Sequence, residues 1–145
     1  MLAKILFAAC LVAITVAIHA AGLGIVLSRV LHSEARQNKR FWPITWLLIR
    51  VSCWLILVHT IEIAVWALFF SWQRCMADIE SSFYFSGVTY ATLGYGDLLL
   101  PEEWRLFGPL EALTGTLMCG LSIAFLFAIV SKRILQRMNG KQSET

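Results

Sequence analysis

The sequence predicts an all-α membrane protein, with three transmembrane helices and one re-entrant helical segment and loop per chain. Composition is the first support: of 145 residues, 59% are hydrophobic and 14% charged, and the mean hydropathy is +0.72. A soluble domain of this size needs more charge to keep its surface wet. The second is that three apolar runs each exceed the roughly 20 helical residues that a bilayer core requires. The third is a stretch between the second and third runs that is too short to cross. The net charge of +3 forms no basic stripe, which excludes a nucleic-acid partner.

The first element is an accessory transmembrane helix over 1–31, apolar from about Leu2 to Val30. It opens like a signal peptide, but its apolar run is too long for one and no clean small-residue cleavage site follows. Ala9, Ala13, Ala17 and Ala21 recur every four residues, a spacing that lets another helix approach closely, from the second span or a neighbouring subunit. His19, alone in this run, reads as a packed residue. A basic link follows over 32–42, and an outer helix over 43–72 with Trp46 and Trp72 near its ends, where indoles favour the membrane interface.

The segment 79–91 is about 18 Å long as a helix, well short of a core of roughly 30 Å. Gly94 and Gly96 then interrupt any regular element. An inner helix is expected over 105–131, and a polar tail over 136–145 closes the chain. The link carries Arg36, Lys39 and Arg40, and the tail region Lys132, Arg133, Arg137 and Lys141. The region between the last two spans is acidic instead, with Asp78, Glu80, Asp97, Glu102 and Glu103. The excess of Lys and Arg places link and tail in the cytoplasm, and the N-terminus and the 73–104 region outside, in a multi-pass protein of the cell membrane.

Non-helical backbone at membrane depth costs several kcal/mol for each unpaired amide or carbonyl, so it persists only inside protein or along a water-filled path. Here a half-length helix leads into Thr92-Leu93-Gly94-Tyr95-Gly96-Asp97. Glycines at 94 and 96 admit backbone angles that residues with a Cβ avoid. Alternating such angles turns successive carbonyls to one side of an extended strand, where they can replace the water shell of a dehydrated cation. One strand supplies a fraction of that shell, so several chains around an axis are implied.

The run Thr92–Asp97 resembles the potassium-channel signature, with Leu93 where valine is commoner. Ser86 to Ala91, Thr89 included, resembles the end of that family's pore helix. Gly115 and Gly120 resemble a pair of hinge glycines in its inner helix. The resemblance covers about 43–135, the pore domain, and is nearest to small bacterial pore-only channels, through Phe83-Tyr84-Phe85-Ser86 and Glu111-Ala112-Leu113. It implies a homotetramer in a lipid bilayer that passes K⁺ down its gradient. The ion is held by Thr92, Leu93, Gly94, Tyr95 and Gly96, with no cofactor, small-molecule substrate or enzymatic step. Asp97 would anchor the outer end of this filter, taking a hydrogen bond from Tyr84, which stands where many relatives have tryptophan. Val88 falls where some relatives carry a buried glutamate, and Glu62 and Glu111 are the candidates for that support. Thr116, Cys119, Ile123 and Phe127 share one helical face and would line the cavity and gate.

His59 and Glu62 lie three apart on one face of the second span, so a metal site there is conceivable. Cys75 lies in a polar connection, as a free thiol or as a link between subunits. Two other functions fit parts of the pattern. A pore-like subunit that assembles without conducting would share every motif. An intramembrane aspartyl protease would share Gly-x-Gly-Asp but needs two facing aspartates, and the only other one is Asp78.

Overall fold

The computed structural model describes residues 2–36 and 44–142, with side chains described for 2–30 and 45–135. Four α-helices follow one another: α1 (Leu2–Arg36), α2 (Ile44–Trp72), α3 (Ile79–Tyr90) and α4 (Phe107–Gln142). A single 3₁₀ turn at Glu102–Trp104 precedes α4, and no strand occurs among the described residues. Leu2–Val30, Thr45–Trp72 and Glu102–Leu135 are long and apolar enough to cross a membrane. The protein is therefore a multi-pass, all-helical membrane protein. Two helices run well past their expected ends. α1 runs on to Arg36, into the expected link, and α4 to Gln142, well into the expected tail. Lys, Arg, Gln and Met are good helix formers, so loss of hydropathy does not end a helix. Most of the basic link, with Lys39 and Arg40, falls outside the described residues.

The ends of the short helix are specified locally. α2 stops where Arg74 takes a left-handed φ of 54°. The Cys75 amide then bonds the Phe70 carbonyl (2.9 Å) and the Arg74 amide the Ser71 carbonyl (3.0 Å), a Schellman closure. Asp78 has extended backbone and accepts the Ser81 amide at 2.7 Å, capping the start of α3. That bond holds the Asp78 carboxyl below its ordinary range.

Two apolar clusters hold the bundle at its opposite ends. One joins Trp66, Phe69 and Phe70 of α2 with Phe85, Trp104 and Phe107; Phe69 stacks on Phe107 at 5.3 Å and Phe85 meets Phe70 edge-on at 5.4 Å. The other joins Val26, Val30, Val51, Leu55 and Ile129. Cys75 was expected in a polar connection, but it is buried in the first cluster and free. Its thiol is pushed above its ordinary pKa by burial and by the charge of Glu103.

α1 packs on α2 and α4 through Leu11, Thr15, His19, Gly22 and Val26, whereas Ala9, Ala13, Ala17 and Ala21 face away from the rest of the chain. The close approach to α2 comes through Gly22 instead: a Cβ there would stand 2.6 Å from Val58 Cγ2. Trp54 Nε1 donates to the Gly22 carbonyl (3.0 Å) and Trp66 Nε1 to Thr15 Oγ1 (3.1 Å). Lys4 donates to the Glu103 carbonyl at 2.7 Å and lies over the Trp104 ring. The start of α1 and the start of α4 therefore share one end of the bundle.

α4 crosses the end of α3 at Gly115, where a Cβ would come within 2.3 Å of the Tyr90 carbonyl oxygen. Gly115 is thus a point of contact as well as a candidate hinge. Gly120 is exposed, and a Cβ there would meet nothing within 4 Å. Gly115→Ala should destabilise the fold by about 1–3 kcal/mol through overpacking. Gly120→Ala should leave stability unchanged or raise it slightly through helix propensity. Thermal unfolding of both variants in detergent checks the contrast.

Candidate functional site

The loop after α3 is built from the C-terminal carbonyls of that helix. The amides of Ala91 and Thr92 bond the carbonyls of Gly87 and Thr89, at 3.1 and 2.9 Å. The amides of Leu93 and Gly94 both reach the Val88 carbonyl, at 2.9 and 3.4 Å. Thr89 and Val88 thus support the loop through their backbone. Beyond it, φ is left-handed at every second residue: 60° at Thr92, 57° at Gly94 and 75° at Gly96. A Cβ on either glycine would meet nothing within 4 Å in the chain, so φ rather than room selects glycine. Thr92 adopts this angle despite its branched Cβ, a costly geometry of the kind found at functional sites. The sequence signalled the two glycines but not the third member of the alternation.

Three side chains of α3 brace the helix and the loop. At the far end of the loop, the Tyr84 hydroxyl donates to Asp97 Oδ2 at 2.6 Å, the pairing expected from the position of Tyr84. On one side of α3, the Ser86 hydroxyl lies within hydrogen-bond distance of the Ile63 carbonyl (3.0 Å) and of Glu111 Oε1. On another, the Tyr90 hydroxyl donates to Glu62 Oε2. Glu62 and Glu111 are fully buried, and Glu111 Oε2 has no hydrogen-bond partner among the described residues. Val88 offers no such side-chain bond, and carboxylates from α2 and α4 hold the helix from either side.

His19, read as a packed residue, instead meets Glu62 Oε1 through Nδ1 at 3.0 Å. His59 Nδ1 lies 3.1 Å from Glu62 Oε2 and 2.9 Å from the Tyr90 hydroxyl, and its Nε2 lies 3.0 Å from Ser122 Oγ. This polar belt sits between the two apolar clusters and touches all four helices. Ser86, Tyr90 and Ser122 were missed in the sequence. The available signal was phase: Thr15 and His19 lie on the face of α1 that also holds Leu11, Gly22 and Val26, opposite the alanine stripe.

The loop itself is exposed in the single chain, with Leu93 at 56% and Tyr95 at 66%. On α4, Thr116, Ile123 and Phe127 are exposed and Cys119 is half-buried, a continuous face turned away from the chain's own core. Asp78 and Asp97 each serve a separate hydrogen bond, one capping α3 and one meeting Tyr84.

A short helix lies between two spans and ends in a loop of alternating left-handed residues, with buried carboxyl groups of α2 and α4 against it. The ion channel family model matches residues 54–132, more than half of the chain, and the protein belongs to that family. It is therefore a membrane protein of ion transport. No curated protein and no solved structure matches it.

The Tyr84–Asp97 bond carries a pH signature. The phenol holds the Asp97 carboxyl below its ordinary range, and the carboxylate raises the Tyr84 phenol above its own. The depressed acid contributes stability above the ordinary aspartate pKa, lost as pH falls through the lower folded value. The raised phenol contributes below the ordinary tyrosine pKa, lost as pH rises through the higher folded value. The bond is therefore fully present between about pH 4 and 10. Tyr84→Phe should flatten the acidic limb of a melting-temperature profile against pH. A variant profile with the wild-type acidic limb would dissociate the bond from stability.

Proposed function

We propose that the protein is a potassium-selective channel subunit, and that four copies surround a pore whose filter is residues 92–97. The alternation of left-handed φ at Thr92, Gly94 and Gly96 carries the reading. Such a backbone turns successive carbonyls of Thr92, Leu93, Gly94 and Tyr95 the same way, and four such strands make rings of oxygens that replace a potassium hydration shell. Each ring needs oxygens from every copy, which is why a lone chain leaves the loop exposed. K⁺ is the transported ion, and no further cofactor is required.

In this reading α3 is the re-entrant pore helix, its C-terminal end favouring a cation. Asp97 anchors the outer end of the filter through Tyr84, and Glu62 and Glu111 hold the pore helix from behind. Residues 43–135 make up the pore domain and 1–31 the accessory helix. The positive-inside rule places the link and tail in the cytoplasm. The contact of Lys4 with Glu103 supports an N-terminus on the outer side, together with residues 73–104. The exposed face of Thr116, Ile123 and Phe127, with Cys119, lines the cavity, and four copies of Ile123 and Phe127 form an apolar ring toward the cytoplasm. Gly115 and Gly120 give α4 room to bend.

Reversal potentials of the purified protein in bilayers, with potassium on one side and sodium on the other, test the proposal. The expected result is a shift toward the potassium equilibrium potential, abolished by Gly94→Ala or Gly96→Ala because a Cβ opposes the left-handed φ. No current at all would favour a silent subunit, and unchanged selectivity in either variant would refute the filter. In a background with the native cysteines replaced, a cytoplasmic thiol reagent should block current through Ile123→Cys and Phe127→Cys. Phe125→Cys should stay silent, since Phe125 packs against the chain's own core. The reverse pattern would mean that α4 presents another face to the pore.

A further inference from the structure

The polar belt behind α3 has the composition and spacing of a ligand set. His19 of α1 and His59 and Glu62 of α2 each offer one donor atom, and these three atoms lie within 4.8 Å of one another. His19 and Glu62 are buried and His59 nearly so. Both imidazoles turn Nδ1 toward the same carboxylate, His19 to Oε1 at 3.0 Å and His59 to Oε2 at 3.1 Å. Both turn Nε2 toward the same hydroxyl, that of Ser122, at 3.5 and 3.0 Å.

We propose that His19, His59 and Glu62 bind a divalent first-row transition cation of the zinc type, joining α1 to α2 beside the end of the short helix. Two nitrogens and a carboxylate oxygen suit Zn²⁺ and its neighbours, whereas Ca²⁺ and Mg²⁺ prefer all-oxygen shells. The hydrogen inventory fits the loaded state. Coordination through Nδ1 leaves each neutral ring its hydrogen on Nε2, and Ser122 Oγ has two lone pairs to accept both. Outer partners of this kind fix the tautomer and orientation of ligating histidines. Without the cation and with Glu62 ionised, both Nδ1–H groups donate to the carboxylate, and the single Ser122 hydrogen serves only one of the two Nε2 atoms. The cation also offsets a carboxylate charge that is costly at membrane depth. Tyr90 Oη, 2.9 Å from His59 Nδ1, supplies a fourth donor atom beside the set. An occupied site would therefore couple the accessory helix to the residue that ends α3.

The site is independent of which ion the pore selects, and its test reads metal rather than current. The full chain, purified in detergent, is stripped with chelator, exposed to Zn²⁺ or Mg²⁺, passed through a desalting column and assayed for metal by mass spectrometry. The expected result is about one zinc per chain and no retained magnesium, with His19→Gln and Glu62→Gln each losing most of the zinc. Gly24→Ala, on the exposed side of α1, should keep it. X-ray absorption of the zinc-loaded wild type needs no variant to fold, and should show nitrogen and oxygen ligands at about 2.0–2.1 Å with imidazole scattering. A folded wild type that retains no zinc would overturn the proposal and leave the belt as a hydrogen-bonded, proton-bearing network. So would equal zinc in wild type and both ligand variants, or a spectrum without imidazole.

Discussion

The structure depends on holding a helix that is too short to cross the membrane. α3 spans only Ile79–Tyr90, and the chain beyond it is irregular until Glu102. In lipid no water completes the backbone of such a segment, so protein must. The hydrophobic effect cannot do this, because lipid tails are as apolar as leucine, and cohesion between helices falls to close packing and hydrogen bonds. The bundle supplies both. Gly115 lets α4 lie against the Tyr90 carbonyl, and Glu62 and Glu111 engage Tyr90 and Ser86 from opposite helices. Interhelical hydrogen bonds in membranes average only about 0.6 kcal/mol each. Their value here lies in position more than in energy, since they fix where α3 ends and hence where the loop begins.

From that fixed end the loop inherits its geometry. Four consecutive amides, Ala91 to Gly94, are taken by carbonyls of the last turn of α3, and the Tyr84–Asp97 bond closes the far end onto the same helix. Between the two anchors lies the alternation at 92, 94 and 96. The energetic cost falls on Thr92, where a β-branched residue holds an angle that glycine would hold freely. Its hydroxyl and its carbonyl are both oxygens of the kind that a cation can use.

Much of this was legible in the sequence. The three spans follow from hydropathy and length, the short helix from the spacing between Trp72 and the glycines, and the glycines' left-handed angles from their missing Cβ. The Tyr84–Asp97 contact followed from a resemblance rather than from spacing. What could not be read was set by tertiary contact. The side of α1 that packs is fixed by Thr15, His19 and Gly22, although the alanine stripe offered an equally regular face. Cys75 reads as a loop residue because burial at a helix end leaves no periodic trace. The pairing of His19 with Glu62 spans 43 positions, and no local pattern encodes it. Helix ends at Arg36 and Gln142 were misplaced because charge, which ends a membrane span, does not end a helix.

In the proposed assembly, residues 92–97 of several chains meet at one axis and bind potassium there. A cryo-electron microscopy structure of the purified protein, prepared in potassium and again with sodium replacing it, tests this directly. The expected result is a fourfold assembly with the loop at its centre, and axial density between the carbonyls of Thr92 to Tyr95 that weakens or rearranges in sodium. A monomer or dimer with this loop facing lipid or bulk water, or a fourfold assembly with no axial density in potassium, would contradict it.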